Sequence, residues 1–444
     1  MKYSVAEFFS GCGGFSRGFT NSGRFNAVLG NDVKPEALRT FEFNHRQDDV
    51  TPNIILDDIR QIPFQKIDDA LLDRGINPDD LDCLIGGPPC QGFSQLRRSE
   101  ELENGIVKFR GYSKLAEDPR NDLVLSFLAV AEHLRPKFLV IENVPQMLNH
   151  GFNGRLGHLS ETVIEMLEKD LGYQVEVGIL TAANYGVPQL RERAIFIASR
   201  IGSINFPKAT HADPQTISPQ TPDLLPWTTV ADAINDLPSP SDAKEILGGK
   251  ELDQYIRGKE STFSSLMRTS KTFPFNHITR AYKSSVLDII AEMRPGQTWA
   301  TESGRMREKY GAVINSYARK TGLSDKVARK ELERLGIINP SFFKDYYWSA
   351  YTRLAWNLPS LTITANANFL GSGRFTHPEE SRGITMREAA RLQSFDDDFR
   401  FITSKTDDLC TARIGIGMDM IGEAVPPLLA QAIATEIAAK LDNH

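Results

Sequence analysis

Four cysteines in 444 residues, at positions 12, 83, 90 and 410, form neither a CxxC pair nor a cluster with histidine. That scarcity argues against a disulfide-stapled secreted framework and against a zinc site, so no metal is expected. No apolar run approaches the roughly 20 residues that span a bilayer. The chain also enters a strand-like pattern (Tyr3-Ser4-Val5-Ala6-Glu7-Phe8-Phe9) too early for a signal peptide. A cytoplasmic protein without membrane contact is expected. The dinucleotide spacing G-x-G-x-x-G is missing too. In Ser10-Gly11-Cys12-Gly13-Gly14-Phe15-Ser16-Arg17-Gly18, Ser16 stands where the last glycine belongs, which disfavours NAD and FAD. Finally, there is no surplus of positive charge, since 51 Lys and Arg face 57 Asp and Glu for a net −6. This average hides an asymmetry, because residues 261–330 hold 13 basic and 5 acidic side chains, leaving the remainder at −14. A basic segment of this kind either contacts phosphate or is a solvated helical surface.

A length of 444 residues with 41% hydrophobic and 24% charged positions describes an ordinary globular chain, long enough for two cores. The stretch that organises it is Gly86-Gly87-Pro88-Pro89-Cys90-Gln91-Gly92-Phe93-Ser94. It follows Leu81-Asp82-Cys83-Leu84-Ile85, an apolar run that reads as a buried strand. Two prolines fix φ twice and remove two donors, so the chain leaving that strand is stiff and aims Cys90 in one direction. A buried, inert thiol is the commoner fate of cysteine. A rigid turn at the mouth of a sheet favours a nucleophile instead.

The neighbouring segments build around that turn. The glycines after the first strand open a helix whose N-terminal amides face a ligand. A second strand, residues 27–31, ends at Asp32, where nucleoside-binding α/β folds place a carboxylate on ribose hydroxyls. A third, residues 53–56, reaches Asp57-Asp58. For Asp32 and Asp58 a helix N-cap is the alternative. Residues 95–118 are polar, carry Arg97, Arg98, Lys108, Arg110 and Lys114, and read as a basic lid. Strand 137–141 brings Glu142-Asn143-Val144 to the edge that holds Cys90, setting a carboxylate beside a thiol. Arg191 and Arg193, two apart, are expected on one face with both forks toward an anionic or carbonyl oxygen. Aromatics at 342–351 beside Arg353 suit either base stacking or a core. Strands alternating with helices predict a doubly wound, mostly parallel α/β sheet with an adenosine-like cofactor at its C-terminal edge.

Taken together and in this order, the motifs resemble those of the DNA (cytosine-5)-methyltransferases, over nearly all of the chain outside roughly 239–347. Phe9-Ser10-Gly11-Cys12-Gly13-Gly14 is similar to the family's first motif and residues 86–94 to its Pro-Cys motif. Glu142-Asn143-Val144 resembles the Glu-Asn-Val motif, and Gln189, Arg191 and Arg193 the Gln-x-Arg-x-Arg motif. Residues 382–393 and 422–427 resemble the last two motifs. The resemblance implies a Rossmann-like methyltransferase fold in three stretches: catalytic residues 1–238, an inserted target-recognition domain at 239–375, and a catalytic return at 376–444. It implies S-adenosylmethionine as donor and S-adenosylhomocysteine as product. Phe9, Gly11, Gly13, Gly14, Asp32, Asp58, Pro89 and Glu423 would line the cofactor site, with Phe9 on the adenine, Asp32 on the ribose and Asp58 near the adenine amine.

The same resemblance implies that Cys90 attacks C6 of a cytosine flipped out of double-stranded DNA, with Glu142 on N3 and the exocyclic amine. Arg191 or Arg193 would hold O2, and Gln91, Ser94 and Gln189 would contact the substrate. The implied setting is a monomeric bacterial or phage modification enzyme, acting beside a restriction endonuclease or another defence protein. RNA cytosine methylation and a catalytically idle DNA-binding homologue are the alternatives. Two departures stand out. Glu423 replaces the asparagine of Gly-Asn-x-Val-Pro, where a carboxylate near the cofactor's methionine end would either repel its carboxylate or recruit its ammonium; Glu423→Asn is expected to leave activity intact and to tighten cofactor binding. Asp396 replaces a proline, which predicts a looser turn at Phe395-Asp396-Asp397.

Overall fold

The computed structural model describes residues 2–46, 50–89, 100–103, 106–109, 121–149, 158–219, 221, 223–240, 260–268, 275–278, 280–403 and 413–444. Seven strands form one sheet: β1 (Tyr3–Phe8), β2 (Phe25–Asp32), β3 (Asn53–Leu56), β4 (Cys83–Gly86), β5 (Phe138–Asn143), β6 (Gln174–Thr181) and β7 (Glu192–Ser199). Their spatial order is β3-β2-β1-β4-β5-β7-β6. All pairings from β3 to β5 are parallel, and β7 runs antiparallel to both β5 and β6. Residues of β4 and β5 are buried throughout, because crossover helices cover both faces of a parallel sheet and leave no wet side. That explains why these strands read as unbroken apolar runs.

The helices are α1 (Gly14–Asn21), α2 (Pro35–Asn44), α3 (Phe64–Leu72), α4 (Asn121–Leu134), α5 (His158–Glu165), α6 (Val230–Ile234) and α7 (Thr262–Met267). They continue with α8 (Ser284–Glu292), α9 (Trp299–Thr321), α10 (Asp325–Arg334), α11 (Met386–Leu392), α12 (Ile414–Glu423) and α13 (Pro427–Asp442). One sheet face packs Ala6, Phe8, Leu84 and Ile141 on Ile67 of α3, Phe127 of α4 and Leu159 of α5. The other packs Val5, Ile85, Val140 and Ile197 on Phe15 and Phe19 of α1 and on Leu429, Ile433 and Ile437 of α13. The last helix thus lies beside the first. A methyl group at Gly18 would collide with the Pro427 carbonyl and Ala430, so glycine is what lets α1 and α13 approach.

A third apolar cluster joins Val230–Leu237, residues between Phe263 and Leu354, and Met386–Phe401. The sequence-predicted boundaries assign the first and last of these to the catalytic stretches, yet their apolar side chains pack with the insert. The aromatic run at 342–351 divides. Phe342 stacks on Tyr310 with centroids 4.4 Å apart, and Tyr346 and Tyr351 pack edge-on to Trp299. Tyr347 and Trp348 are exposed. Arg353 is buried, its guanidinium on the carbonyls of His377, Pro378 and Ile290, so it belongs to the core.

Asp396 corrects an expectation. Its carboxylate takes a bidentate bond from Arg17, with Nε and Nη2 each at 2.9 Å, and also accepts the Phe399 N–H at 3.1 Å. The turn is tied down, because the carboxylate supplies three anchors where a proline would supply only a fixed φ. Of the stretch read as a lid, the described residues Glu100–Glu103 and Ile106–Phe109 pair as antiparallel strands. Among the described residues, no helix is long and apolar enough to cross a membrane.

Candidate active site

The sheet reverses its winding between β1 and β4. From β1 the chain proceeds outward to β2 and β3, and from β4 it proceeds the other way to β5. Loops leaving β1 and β4 therefore diverge and open a crevice at the strands' C-terminal ends. Phe9 to Gly13 forms one wall and Gly87-Pro88-Pro89 the other. Cys90, Gln91 and Ser94 lie outside the described residues. The described free cysteines, Cys12 and Cys83, are both buried, and burial pushes both thiols up, away from the nucleophilic thiolate.

The turn after β4 is held from β5. Asn143 donates its Nδ2 to the Pro88 carbonyl at 2.9 Å and accepts the Val144 N–H at 2.9 Å. Sequence reasoning had Asn143 in hand within Glu-Asn-Val but gave it no role. Its place immediately after Glu142, on the strand that pairs with β4, was the available signal. Glu142 is 8% exposed, and a methyl group on Gly87 would come within 3.0 Å of its Oε2. Position 87 must lack a side chain for the turn to pass this carboxylate. Glu142 sits opposite Ile195 of β7. Arg193, two residues earlier, lies on the same face and reaches diagonally to Glu142. Its Nε stands 2.6 Å from Glu142 Oε1.

Arg191 and Gln189 do not join this group. Arg191 is 1% exposed and donates to the carbonyls of Ile363 (2.9 Å), Gly422 (2.9 Å) and Ala424 (3.0 Å). The expectation that both arginines share a face fails because Arg191 precedes β7 and turns into the seam with the returning chain. Burial and the nearby Arg193 push its pKa down, but a guanidinium held by three carbonyls keeps its proton. Gln189 is fully buried. Its Nε2 bonds the Leu392 carbonyl and Gln393 Oε1, and its Oε1 accepts the Ile363 N–H. Both residues brace the seam.

On the β1 side, Phe9 has a left-handed φ of 54° and its ring packs edge-on to Phe127 at 6.1 Å. Asp32 accepts the Gly11 N–H at 2.8 Å and the Lys34 N–H at 2.9 Å, one on each oxygen, leaving lone pairs for hydroxyls. The Ser10 hydroxyl is buried with no hydrogen-bond partner among the described residues, and a methyl group at Gly11 would meet nothing within 4 Å. Gly13, at φ 88°, caps α1, and a side chain there would strike Phe41 and His45. Gly14 lies as close to the Val425 carbonyl, 2.6 Å from where a Cβ would stand. Asp58 caps the short turn Ile59–Gln61 through the Arg60 N–H at 3.0 Å and also binds the Arg60 guanidinium. That guanidinium holds its carboxyl below the usual range. An orphaned hydroxyl, open room beside Gly11 and a carboxylate with spare acceptors fit an adenosyl cofactor.

Comparison with known proteins decides the family. The description "C-5 cytosine-specific DNA methylase" matches residues 3–439. The chain belongs to that family. This methylase is 29% identical to the type II methyltransferase M.DdeI of Desulfomicrobium norvegicum over 446 residues, 99% of this chain and 89% of that one. It is 30% identical to the type II methyltransferase M1.HphI of Haemophilus parahaemolyticus, covering 100% of this chain and 88% of the relative. Among solved structures it shares its fold with an Escherichia coli prophage protein described as a DNA modification methyltransferase. That match has a TM-score of 0.61 and 21% identity, and covers 99% of this chain and 100% of the other. The methylase is an enzyme that modifies DNA cytosine at C5, with a mostly parallel Rossmann-like sheet.

Proposed function

We propose that this methylase modifies a cytosine flipped out of double-stranded DNA at a short specific site, through a covalent bond from Cys90 to C6. The observation that carries the reading is the Glu142–Arg193 pair, 2.6 Å apart, beside a turn that Asn143 fixes at Pro88 and whose next residue but one is Cys90. Phe9, Gly11, Asp32, Asp58 and Pro89 would hold S-adenosylmethionine, and the bound cofactor supplies the methyl group that C5 receives.

Unaided, cytosine C5 is too weak a nucleophile. Attack of the Cys90 thiolate on C6 forms an S–C bond and moves the C5–C6 π electrons onto C5. Glu142 bonds N3 and the exocyclic amine, where charge builds, and Arg193, rather than Arg191, holds O2. After C5 is methylated, loss of its proton returns an electron pair to the ring and expels Cys90. A stacked base cannot be reached, so the nucleotide leaves the helix at a cost of a few kcal/mol, which protein contacts offset. Residues 239–375 serve as the target-recognition domain, where the local positive charge suits phosphate contact. The setting is a cytoplasmic bacterial modification system with an endonuclease or another defence protein as functional partner, and the enzyme acts as a monomer.

The test is transfer of tritiated methyl groups to duplex DNA and, separately, to tRNA. Wild-type enzyme labels duplex DNA, while Cys90→Ser transfers label at least 10³-fold more slowly, within the order of magnitude expected for loss of a covalent nucleophile. Label appearing on tRNA alone would favour the RNA reading. Normal transfer by Cys90→Ser would remove the covalent step.

A further inference from the structure

Across the rim of the cofactor cleft, a chain of polar contacts joins segments 389 residues apart in sequence. Lys34 Nζ donates to both oxygens of Glu423, at 2.8 and 2.6 Å, while the Lys34 backbone N–H holds Oδ1 of Asp32 at 2.9 Å. The other Asp32 oxygen accepts the Gly11 N–H at 2.8 Å. A single residue at the start of α2 therefore touches the carboxylate assigned to the ribose and the end of α12. Sequence reasoning missed Lys34, because nothing in a linear reading places it next to Glu423.

Charge makes the contact matter. Asp32, Asp419 and Glu423 surround the Lys34 ammonium. Partial burial on its own would lower the lysine's pKa, but the bond to Glu423 and the charges of Asp32 and Asp419 carry it above the ordinary value. Burial, together with Glu423, raises the Asp419 carboxyl. With Glu423 in place of a neutral residue, three carboxylates among the described residues act on the Lys34 ammonium.

We propose that Lys34 is a positioning residue for the methyl donor. Its bond to Glu423 latches the end of α12 to the loop that carries Asp32, and it offsets the added carboxylate. The proposal rests on the S-adenosylmethionine reading of the cleft. It reverses the sequence-based expectation for Glu423→Asn. Without its partner, the Lys34 ammonium turns to Asp32, two residues away, and competes with the hydroxyls for that carboxylate, so binding weakens.

Titration calorimetry of the full chain with S-adenosylmethionine and with S-adenosylhomocysteine tests the latch. Lys34→Met and Glu423→Asn should each raise Kd about fivefold, the upper range for a half-exposed ion pair. Lys34→Arg, and the charge swap combining Lys34→Glu with Glu423→Lys, should bind within about twofold of wild type on the same scale. A role in folding alone would lower the urea midpoint of the single variants and leave the Kd of the folded chain unchanged. Wild-type affinity in both single variants, or a swap no better than the singles, overturns the latch while leaving the cofactor reading intact. A wild-type chain that takes up neither ligand overturns both.

Discussion

Arg193 and Arg191 stand two residues apart in one motif and belong to different regions. At the sheet edge, Arg193 pairs with Glu142 beside the crevice. In the seam behind it, Arg191 holds the carbonyls of Ile363, Gly422 and Ala424. The same seam continues through Gln189 and Gln393 to Ile421, and then to Arg391. That arginine has a fully buried side chain and bonds Asp236 at 2.8 Å and Asp397 at 2.7 Å. Identical residue types thus do opposite work. At the edge, Arg193 and Glu142 each keep part of the side chain exposed, 12% and 11%. In the seam the Arg191 Nη groups and the Gln189 amide are spent on backbone and side-chain groups between Ile363 and Ala424. A motif identifies both kinds of residue without telling them apart.

Three substitutions sharpen that contrast. The largest effect is expected at the edge, where Glu142→Gln should lower turnover about 10²- to 10⁴-fold, the range for losing a positioned acid–base group. Its denaturation midpoint should stay near that of wild type. A parallel loss of stability in urea would move Glu142 into the architectural class. Next comes the seam, where Arg191→Met removes the side-chain donor of the buried Ile363 and Gly422 carbonyls and leaves that of Ala424 to Gln393 Nε2 at 3.3 Å. A cost of about 2–4 kcal/mol in urea unfolding is expected, in line with losing hydrogen bonds from a charged donor. If Arg191→Met instead folds as stably as wild type but fails to transfer methyl groups, the division between the two arginines is wrong.

The smallest effect concerns the floor beneath the glycine turn. Glu7 is buried on β1 and accepts the Ser16 N–H at 3.0 Å, and Ser16 Oγ bonds His45 Nε2 at 3.0 Å. Burial pushes the Glu7 carboxyl up to about 8 from an ordinary 4.5, and burial takes His45 down to about 3 from 6.5. A carboxyl with a raised folded pKa contributes stability that is whole below 4.5 and is lost as pH climbs through 8. A histidine with a depressed one contributes above 6.5 and loses that contribution as pH falls toward 3. Between pH 6.5 and 8, then, only Glu7 of this pair gives a slope. Wild-type stability should fall across that interval by roughly 1–2 kcal/mol relative to Glu7→Gln, followed by urea unfolding at each pH. Parallel curves for the two proteins would mean that Glu7 is ionised in the fold.

Legibility from sequence followed the kind of information each feature needs. β4 and β5 were readable because buried parallel strands are continuous apolar runs, and α4 and α13 because their apolar positions recur without a break. Glu142 was placed correctly at the sheet edge, since a strand's end follows from where its apolar run stops. The shared face expected for Arg191 and Arg193 assumed an unbroken strand, but β7 begins only at Glu192. Asp396 looked like a weakness because its partner, Arg17, lies 379 residues away.

The sequence by itself determined the strands of the sheet, the first and last helices, the glycine and proline turns at the sheet edge, and the family, because these depend on local periodicity and on fixed spacing. Only the tertiary structure decided which arginine faces the crevice, that Gln189 is a brace, and that Lys34 meets Glu423. Each of those depends on where a distant segment returns, and a side chain's partners are set by packing in three dimensions rather than by its neighbours along the chain.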